Sequence, residues 1–188
     1  DAYDLRPLTI DGVTIKLQGR IGGEPLKPEA SMWRKVLLLF CHRDPRPDIV
    51  VLARDLDGYA DRRAGLDQVC TGLSWPFAIV AATPEPEVEG WIVSGFVPQN
   101  DGEQHRLEQL RGELSFDPTL HSHRLTSHPN DAATDAKRVL SRLCSGDPDR
   151  EHTCLARDVL HQRGTHNWAR SFLDDVDQRV LPVFGHRG

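Results

Sequence analysis

The hydrophobic positions change rhythm along the chain. Val13, Ile15 and Leu17 alternate with Thr14 and Lys16, which predicts a short strand over Gly12 to Leu17. Pro28 can open a helix, because its fixed φ suits the first turn, and Trp33, Val36, Leu37 and Phe40 follow at helical spacing. That helix should stop before the turn Asp44-Pro45-Arg46-Pro47. Ile49 to Ala53 is a continuous apolar run, the pattern of a strand covered on both faces. Gly58 onward reads as a helix carrying Ala64, Leu66, Val69, Cys70 and Leu73, and Phe77 to Ala82 reads as a second buried strand. Strand, helix and strand joined by a long crossover predict parallel pairing in an α/β core.

Beyond this point the pattern is helical. Val88 to Phe96, Glu103 to Leu110, Ala132 to Leu143, Thr153 to His161 and Asn167 to Val180 all read as helices, with a polar, His-rich loop over Ser115 to Asn130. The expected organisation is one domain over 1–188, with an α/β core in 1–100 and a helical extension in 101–188 packed on it. Asp1 to Leu5 resembles the start of a helix that would ordinarily follow a first strand, so a sheet of this kind is expected to have residues upstream.

Composition narrows the function classes. No apolar stretch approaches the ~20 residues of a membrane span, and no secretory signal is visible at Asp1 to Asp4. The expectation is a cytoplasmic protein with no membrane partner. A net charge of -5 argues against a uniformly basic nucleic-acid surface and leaves a local Arg-lined groove as the alternative. Cys41, Cys70, Cys144 and Cys154 show no CxxC pair and read as reduced thiols. His121, His123, His128 and His152 lack the paired spacing of a structural zinc site. Neither a phosphate-binding Gly-Lys loop nor a Gly-x-Gly-x-x-Gly turn is present, so neither ATP nor a dinucleotide is expected to bind. The Gly-x-Ser-x-Gly elbow of a serine hydrolase is also missing.

The sharpest chemical feature is Asp55-Leu56-Asp57-Gly58, directly after the apolar run. Carboxylates at i and i+2 of an extended backbone share a side, and the carboxyl end of a strand in an open α/β sheet is the usual ligand crevice. Such hard oxygen donors suit Mg²⁺ or Mn²⁺. Pro84-Glu85-Pro86-Glu87-Val88-Glu89 follows the next strand and could bring Glu87 or Glu89, in preference to Glu85, to the same centre. The same acids also complement a helix N-terminus, and both roles are compatible. Lys137 is one of four lysines, with Lys16, Lys27 and Lys35. It reads either as a stabiliser of developing phosphate charge or as a solvated partner of an acid.

The run Ile49 to Asp57 resembles the DxD segment of TOPRIM-type domains, which occur in topoisomerases, primases and overcoming-lysogenisation-defect nucleases. Pro86 to Val93 and Asp135 to Leu140 are similar to segments of a TOPRIM-like family that carries only a domain-of-unknown-function label. The resemblance covers roughly residues 48–143. It implies a Rossmann-like three-layer core with a mainly parallel sheet. It also implies a Mg²⁺- or Mn²⁺-dependent nuclease with Asp55, Asp57, Glu87 and Glu89 at the metal and Lys137 beside them. Arg54, Arg62, Arg63 and Arg138 flank these motifs and are the candidate nucleic-acid contacts. Such proteins are commonly encoded beside AAA or ABC-type ATPases, which suggests an ATPase partner and a phage-defence setting. The family's first-strand Glu has no match here, so a non-catalytic binding module for the ATPase is the alternative.

Overall fold

A computed structural model describes residues 8–10, 13–15, 19–127 and 132–185. The helix start expected at Asp1 to Leu5 and the loop residues His128 to Asn130 lie outside them. The chain is mixed α/β. It forms two compact units, the first comprising 1–52, 59–81 and 176–188, the second 53–58 and 82–175.

In the first unit β1 (Leu8–Ile10) pairs antiparallel with β2 (Val13–Ile15), within the stretch where the alternation predicted a strand. A tighter hairpin joins β3 (Arg20–Ile21) to β4 (Glu24–Pro25). Its two turn residues, Gly22 and Gly23, have φ of 59° and 87°, the left-handed values that a two-residue hairpin demands and that glycine adopts without a Cβ penalty. α1 (Pro28–Cys41) begins on its proline and packs against α2 (Ala60–Gly72). The close approach is made at Gly65, where a Cβ would stand 2.7 Å from that of Glu29. Ile21, Ala30, Leu37, Leu66, Val69, Phe77 and Ile79 form the core between these elements. Each large side chain so buried contributes about 1.5–3 kcal/mol of hydrophobic stabilisation.

β5 (Ile49–Ala53) and β6 (Ala78–Ala82) pair with each other as a two-stranded sheet, and their hydrogen bonds advance together along both strands, so they run parallel as expected. The residues differ in how they are covered. Ile79, Val80 and Ala81 of β6 are buried in succession, whereas Val51 at the middle of β5 is 57% exposed. The apolar run of β5 is therefore not covered on both faces; Val50 and Leu52 alone point into the core. β-Branched residues favour strands wherever they lie, and this makes a half-exposed strand look like a buried one.

The second unit is helical, as the later rhythm predicts. It holds α3 (Val88–Ser94), α4 (Asp101–Leu114), a 3-10 turn (Ser122–Arg124), α5 (Ala136–Cys144), α6 (Pro148–Thr153), α7 (Arg157–Arg163) and α8 (Ala169–Asp175). Side chains at 3.6-residue spacing meet in one core: Val93 and Phe96 from α3 and its end, Leu107, Leu110 and Leu114 from α4, Val139, Leu140 and Leu143 from α5. Asn100 caps α4 by accepting from the Glu103 N–H at 3.0 Å. Asp135 caps α5 by accepting from the Arg138 N–H at 2.8 Å, so this helix starts after the Ala132 expected from periodicity. The helix expected over Thr153 to His161 is divided: α6 ends at Thr153 and α7 starts at Arg157. The chain continues after α8 through a π-helical stretch, Val176–Val180, and α9 (Leu181–Gly185), which belong to the first unit.

Candidate functional site

All five acids singled out above lie in the second unit, on two segments that run side by side. The Arg54 N–H donates to the Ala82 carbonyl at 2.9 Å, Leu56 to Pro84 at 3.0 Å and Asp57 to Pro86 at 2.8 Å. This ladder carries the strand direction past Ala53 and ends where Asp57 and Gly58 turn away with φ of 50° and 77°. Leu56 is 1% exposed and anchors the segment from below.

The ladder separates the carboxylates. Asp57 and Glu85 line one cavity of about 210 Å³, together with Gly58, Pro86, His123, Thr126 and Ser127. Glu85 Oε1 accepts from the Gly58 N–H at 3.1 Å. Burial raises the Glu85 carboxyl above its ordinary value, the Gly58 hydrogen bond opposes this, and the negative charge of Asp57 adds to the rise. Asp55 lines a different cavity, of about 300 Å³, with Arg54, Pro84, Val88 and Trp91. The geometry thus pairs Asp57 with Glu85, the glutamate that sequence reasoning placed last.

Glu87 has another role. It is 3% exposed, and its Oε2 accepts from Lys137 Nζ at 2.6 Å. Oε1 of Glu87 is buried without a hydrogen-bond partner among the described residues. Burial pushes this carboxyl up, the Lys137 contact pulls it down, and Glu89 and Asp135 push it up again. The Glu87 hydrogen bond holds the Lys137 ammonium above its usual value. Lys137 thus partners an acid, one that belongs to the Pro84–Trp91 segment. Glu89, half-buried in the first turn of α3, faces the helix dipole favourably.

Trp91 is buried behind the acids. Its indole N–H donates to the Asn167 carbonyl at 2.5 Å and its ring lies 5.3 Å from that of Phe172. Asn167 was missed by sequence reasoning, yet it organises the whole segment. Its side-chain amide donates to Ser122 Oγ at 2.9 Å, to Ser94 Oγ at 3.1 Å and to the Gly90 carbonyl at 3.4 Å. Its Oδ1 accepts from the Ala169 N–H at 3.1 Å, and its carbonyl accepts from the Glu85 N–H at 3.3 Å. The periodicity that predicts a helix over Asn167 to Val180 carries no sign of these bonds, and the helix itself starts at Ala169. His123 was weighed only as a zinc ligand; it lies 5.0 Å from the His166 ring, and burial together with these neighbours lowers its proton affinity.

The four arginines do not form one cluster. In the first unit Arg62 stacks 4.7 Å above the Tyr59 ring and Arg63 pairs with Asp67 at 2.9 Å. In the second, Arg54 shares the Asp55 cavity, while Arg138 lines a cavity of about 400 Å³ with Lys137, Ser141 and Arg142. Among the described residues no set of three or more His, Cys, Asp or Glu side chains is arranged to hold a metal. No helix of the described residues is long and apolar enough to cross a membrane. Compared with known proteins, the chain matches no family model, no curated protein and no solved structure.

The Glu87–Lys137 pair gives a first expected result. Replacing Lys137 by Met should destabilise the second unit by about 1–3 kcal/mol near neutral pH, because a buried carboxylate loses its counter-ion. The figure is below that of a fully buried pair, since the Lys137 side chain is 55% exposed and water screens it. Glu87 binds its proton more tightly folded than unfolded, so its penalty accumulates as pH rises through its raised titration. Removing Lys137 raises that titration further. The deficit of the variant should therefore shrink as pH falls toward about 5, as read by urea titrations at several pH values. A deficit that grows on acidification would contradict this account.

Proposed function

We propose that the protein is a nuclease-like member of the TOPRIM-like class, Mg²⁺- or Mn²⁺-dependent, acting on nucleic-acid phosphodiesters in the cytoplasm, with a Rossmann-like three-layer core. The observation that carries this reading is the convergence of Asp57 and Glu85 on one cavity at the carboxyl end of the paired segments. Their donor chemistry fits the ion: Mg²⁺ keeps several waters and takes only one or two carboxylates from protein. The mutual repulsion that helps to raise Glu85 is the interaction a divalent cation would relieve. When bound, such an ion supplies Lewis-acid stabilisation of a phosphate and a more acidic water. Asp57 and Glu85 would hold it, and the Gly58 N–H keeps the Glu85 carboxylate oriented. Asp55 lines the neighbouring cavity, Glu87 and Lys137 pair with each other, and Glu89 stands in the first turn of α3, so in this proposal they support the site and do not hold the ion. Arg54 and Arg138, which lie in the same unit as Asp57 and Glu85, supply phosphate contacts in this proposal.

The test is cleavage of labelled single- and double-stranded DNA and of RNA by the full chain. Mg²⁺, Mn²⁺ and a chelator are compared, with and without a co-expressed AAA or ABC-type ATPase. Metal-dependent cleavage that weakens steeply with salt is the expected result, since an acidic protein must bind phosphates through local arginines. No cleavage under any of these conditions, with the protein folded, overturns it. A second reading has its own observation: Glu87 is already neutralised by Lys137, an arrangement that suits a structural acid. In that reading the chain is a non-catalytic module that binds the ATPase, and co-purification without cleavage is its signature.

A further inference from the structure

The cavity of about 300 Å³ beside Asp55 holds no ion in the reading above. Its volume stands at the small end of ligand cavities, which run about 300–1,000 Å³. Pro84, Val88 and Trp91 give it an apolar wall, and the charged residues that line it are Arg54 and Asp55. All of them belong to the second unit. The wall is fixed without a ligand. Trp91 is 8% exposed, its indole N–H is taken by the Asn167 carbonyl at 2.5 Å, and its ring lies 5.3 Å from that of Phe172. What the indole can still offer is carbon surface, since that N–H is its only donor. Pro84 is held by the ladder, where its carbonyl accepts from the Leu56 N–H at 3.0 Å. Val88, the first residue of α3, is 46% exposed, and Asp55 is exposed too, so both stand where the cavity meets solvent.

We propose that this cavity is a base slot: it takes one unstacked nucleobase, which makes single-stranded nucleic acid the substrate class. The proposal rests on the nuclease reading, because a phosphate of the same strand goes to Asp57 and Glu85. Chemistry selects the occupant. An aliphatic ligand would fit the wall and leave the charges of Arg54 and Asp55 unanswered. A base has apolar faces to lie against Trp91, Pro84 and Val88, and edge N–H groups to donate to Asp55, a carboxylate that only accepts when ionised. Its own phosphate answers Arg54. The place fits as well. Arg54 and Asp55 precede Asp57 on one segment, and Pro84 precedes Glu85 on the segment paired with it. Two residues of extended chain span about 6–7 Å, a gap that a phosphate, its sugar and its base can bridge. In a duplex the bases are stacked and paired, so a base reaches such a slot from a single strand or by flipping out at a cost.

The experiment reads binding to the full chain by fluorescence anisotropy, with Ca²⁺ in place of Mg²⁺ so that affinity is measured apart from turnover. The probes are a short labelled single strand, as DNA and as RNA, its duplex, and a strand of equal length built from abasic residues. The single strand should bind about tenfold more tightly than the abasic strand, the scale of one stacked base. It should also outdo the duplex, despite the denser charge of the latter. Val88→Trp fills the slot from its open side and leaves Asp57 and Glu85 untouched. It should lower single-strand affinity about tenfold and leave abasic affinity unchanged, with a melting curve to show that it folds. Equal binding of intact and abasic strands by the wild-type protein overturns the proposal without any variant. So does a duplex bound more tightly than the single strand, no binding of any strand, or a folded Val88→Trp protein with wild-type affinity. The two readings fail separately. Base-dependent binding without cleavage in Mg²⁺ or Mn²⁺ ends the nuclease reading and leaves the slot; cleavage with base-independent binding does the reverse.

Discussion

Gly95→Ala should unfold the second unit or cost it about 3–5 kcal/mol, above the ~1–3 kcal/mol usual for overpacking a core. Gly95 has an ordinary right-handed backbone at the end of α3, so strain in φ is not the reason. The reason is space. A Cβ built there would lie 1.6 Å from the carbonyl oxygen of Cys154, 2.8 Å from its carbonyl carbon and 3.2 Å from Leu160 Cδ2. The nearest obstacles are backbone atoms at the C-cap of α6, which cannot swing aside as a side-chain end can. Moving them would disturb Cys154 and the Arg150 network that anchors α6 on α4. Gly112→Ala is the matched control: nothing lies within 4 Å of its Cβ position, and it sits inside α4. Alanine loses less chain entropy than glycine on folding, so Gly112→Ala should stabilise by about 0.4–1 kcal/mol. Amide exchange across α3 to α6, with urea titration, separates the two outcomes. A Gly95→Ala protein within about 1 kcal/mol of wild type would show that the α3 and α6 backbones are looser than these distances say.

Periodicity was enough to recover α1, α2, β6 and the succession of strand, helix and strand from Ile49 to Ala82, because each buries one face and so repeats its apolar positions, whereas the short β1, β3, β4 and α6 had no such signal. It placed β5 correctly and misjudged its cover, since Val51 is as β-branched as Val50 but faces outward. Helix ends were less legible. Asp135 and Asp147 stop the chain from entering α5 and α6 earlier, through side-chain hydrogen bonds that compete with helix formation. The acidic site was half legible. Asp57 and the Pro84–Trp91 segment were marked by their place after two strands, yet the choice among Glu85, Glu87 and Glu89 depends on the ladder that carries Leu56 to Pro84 and Asp57 to Pro86. That register is a tertiary property. Asn167 was invisible for a similar reason: its partners, Gly90, Ser94 and Ser122, are 77, 73 and 45 residues away in sequence.

The same geometry orders the effects that acid variants should have on the proposed metal-dependent cleavage. Asp57→Asn and Glu85→Gln should each lower the turnover by at least about a hundredfold, the scale of a lost charge-stabilising contact at a reacting centre. Both substitutions preserve shape. Asparagine tolerates the left-handed backbone that Asp57 adopts at φ of 50° better than almost any residue, and glutamine can still accept from the Gly58 N–H. What they remove is negative charge from one cavity of about 210 Å³. Asp55→Asn alters a carboxylate that lines the neighbouring cavity beside Arg54 and Trp91, so its effect should be the smaller one. Raised Mg²⁺ should partly rescue Asp57→Asn and Glu85→Gln, because each leaves one carboxylate to hold the ion more weakly. It should not rescue Lys137→Met, whose defect is an uncompensated Glu87. An order in which Asp55→Asn is the most damaging and Glu85→Gln is silent would move the metal to the DxD pair alone, and Glu85 would then be a turn residue that closes on Gly58.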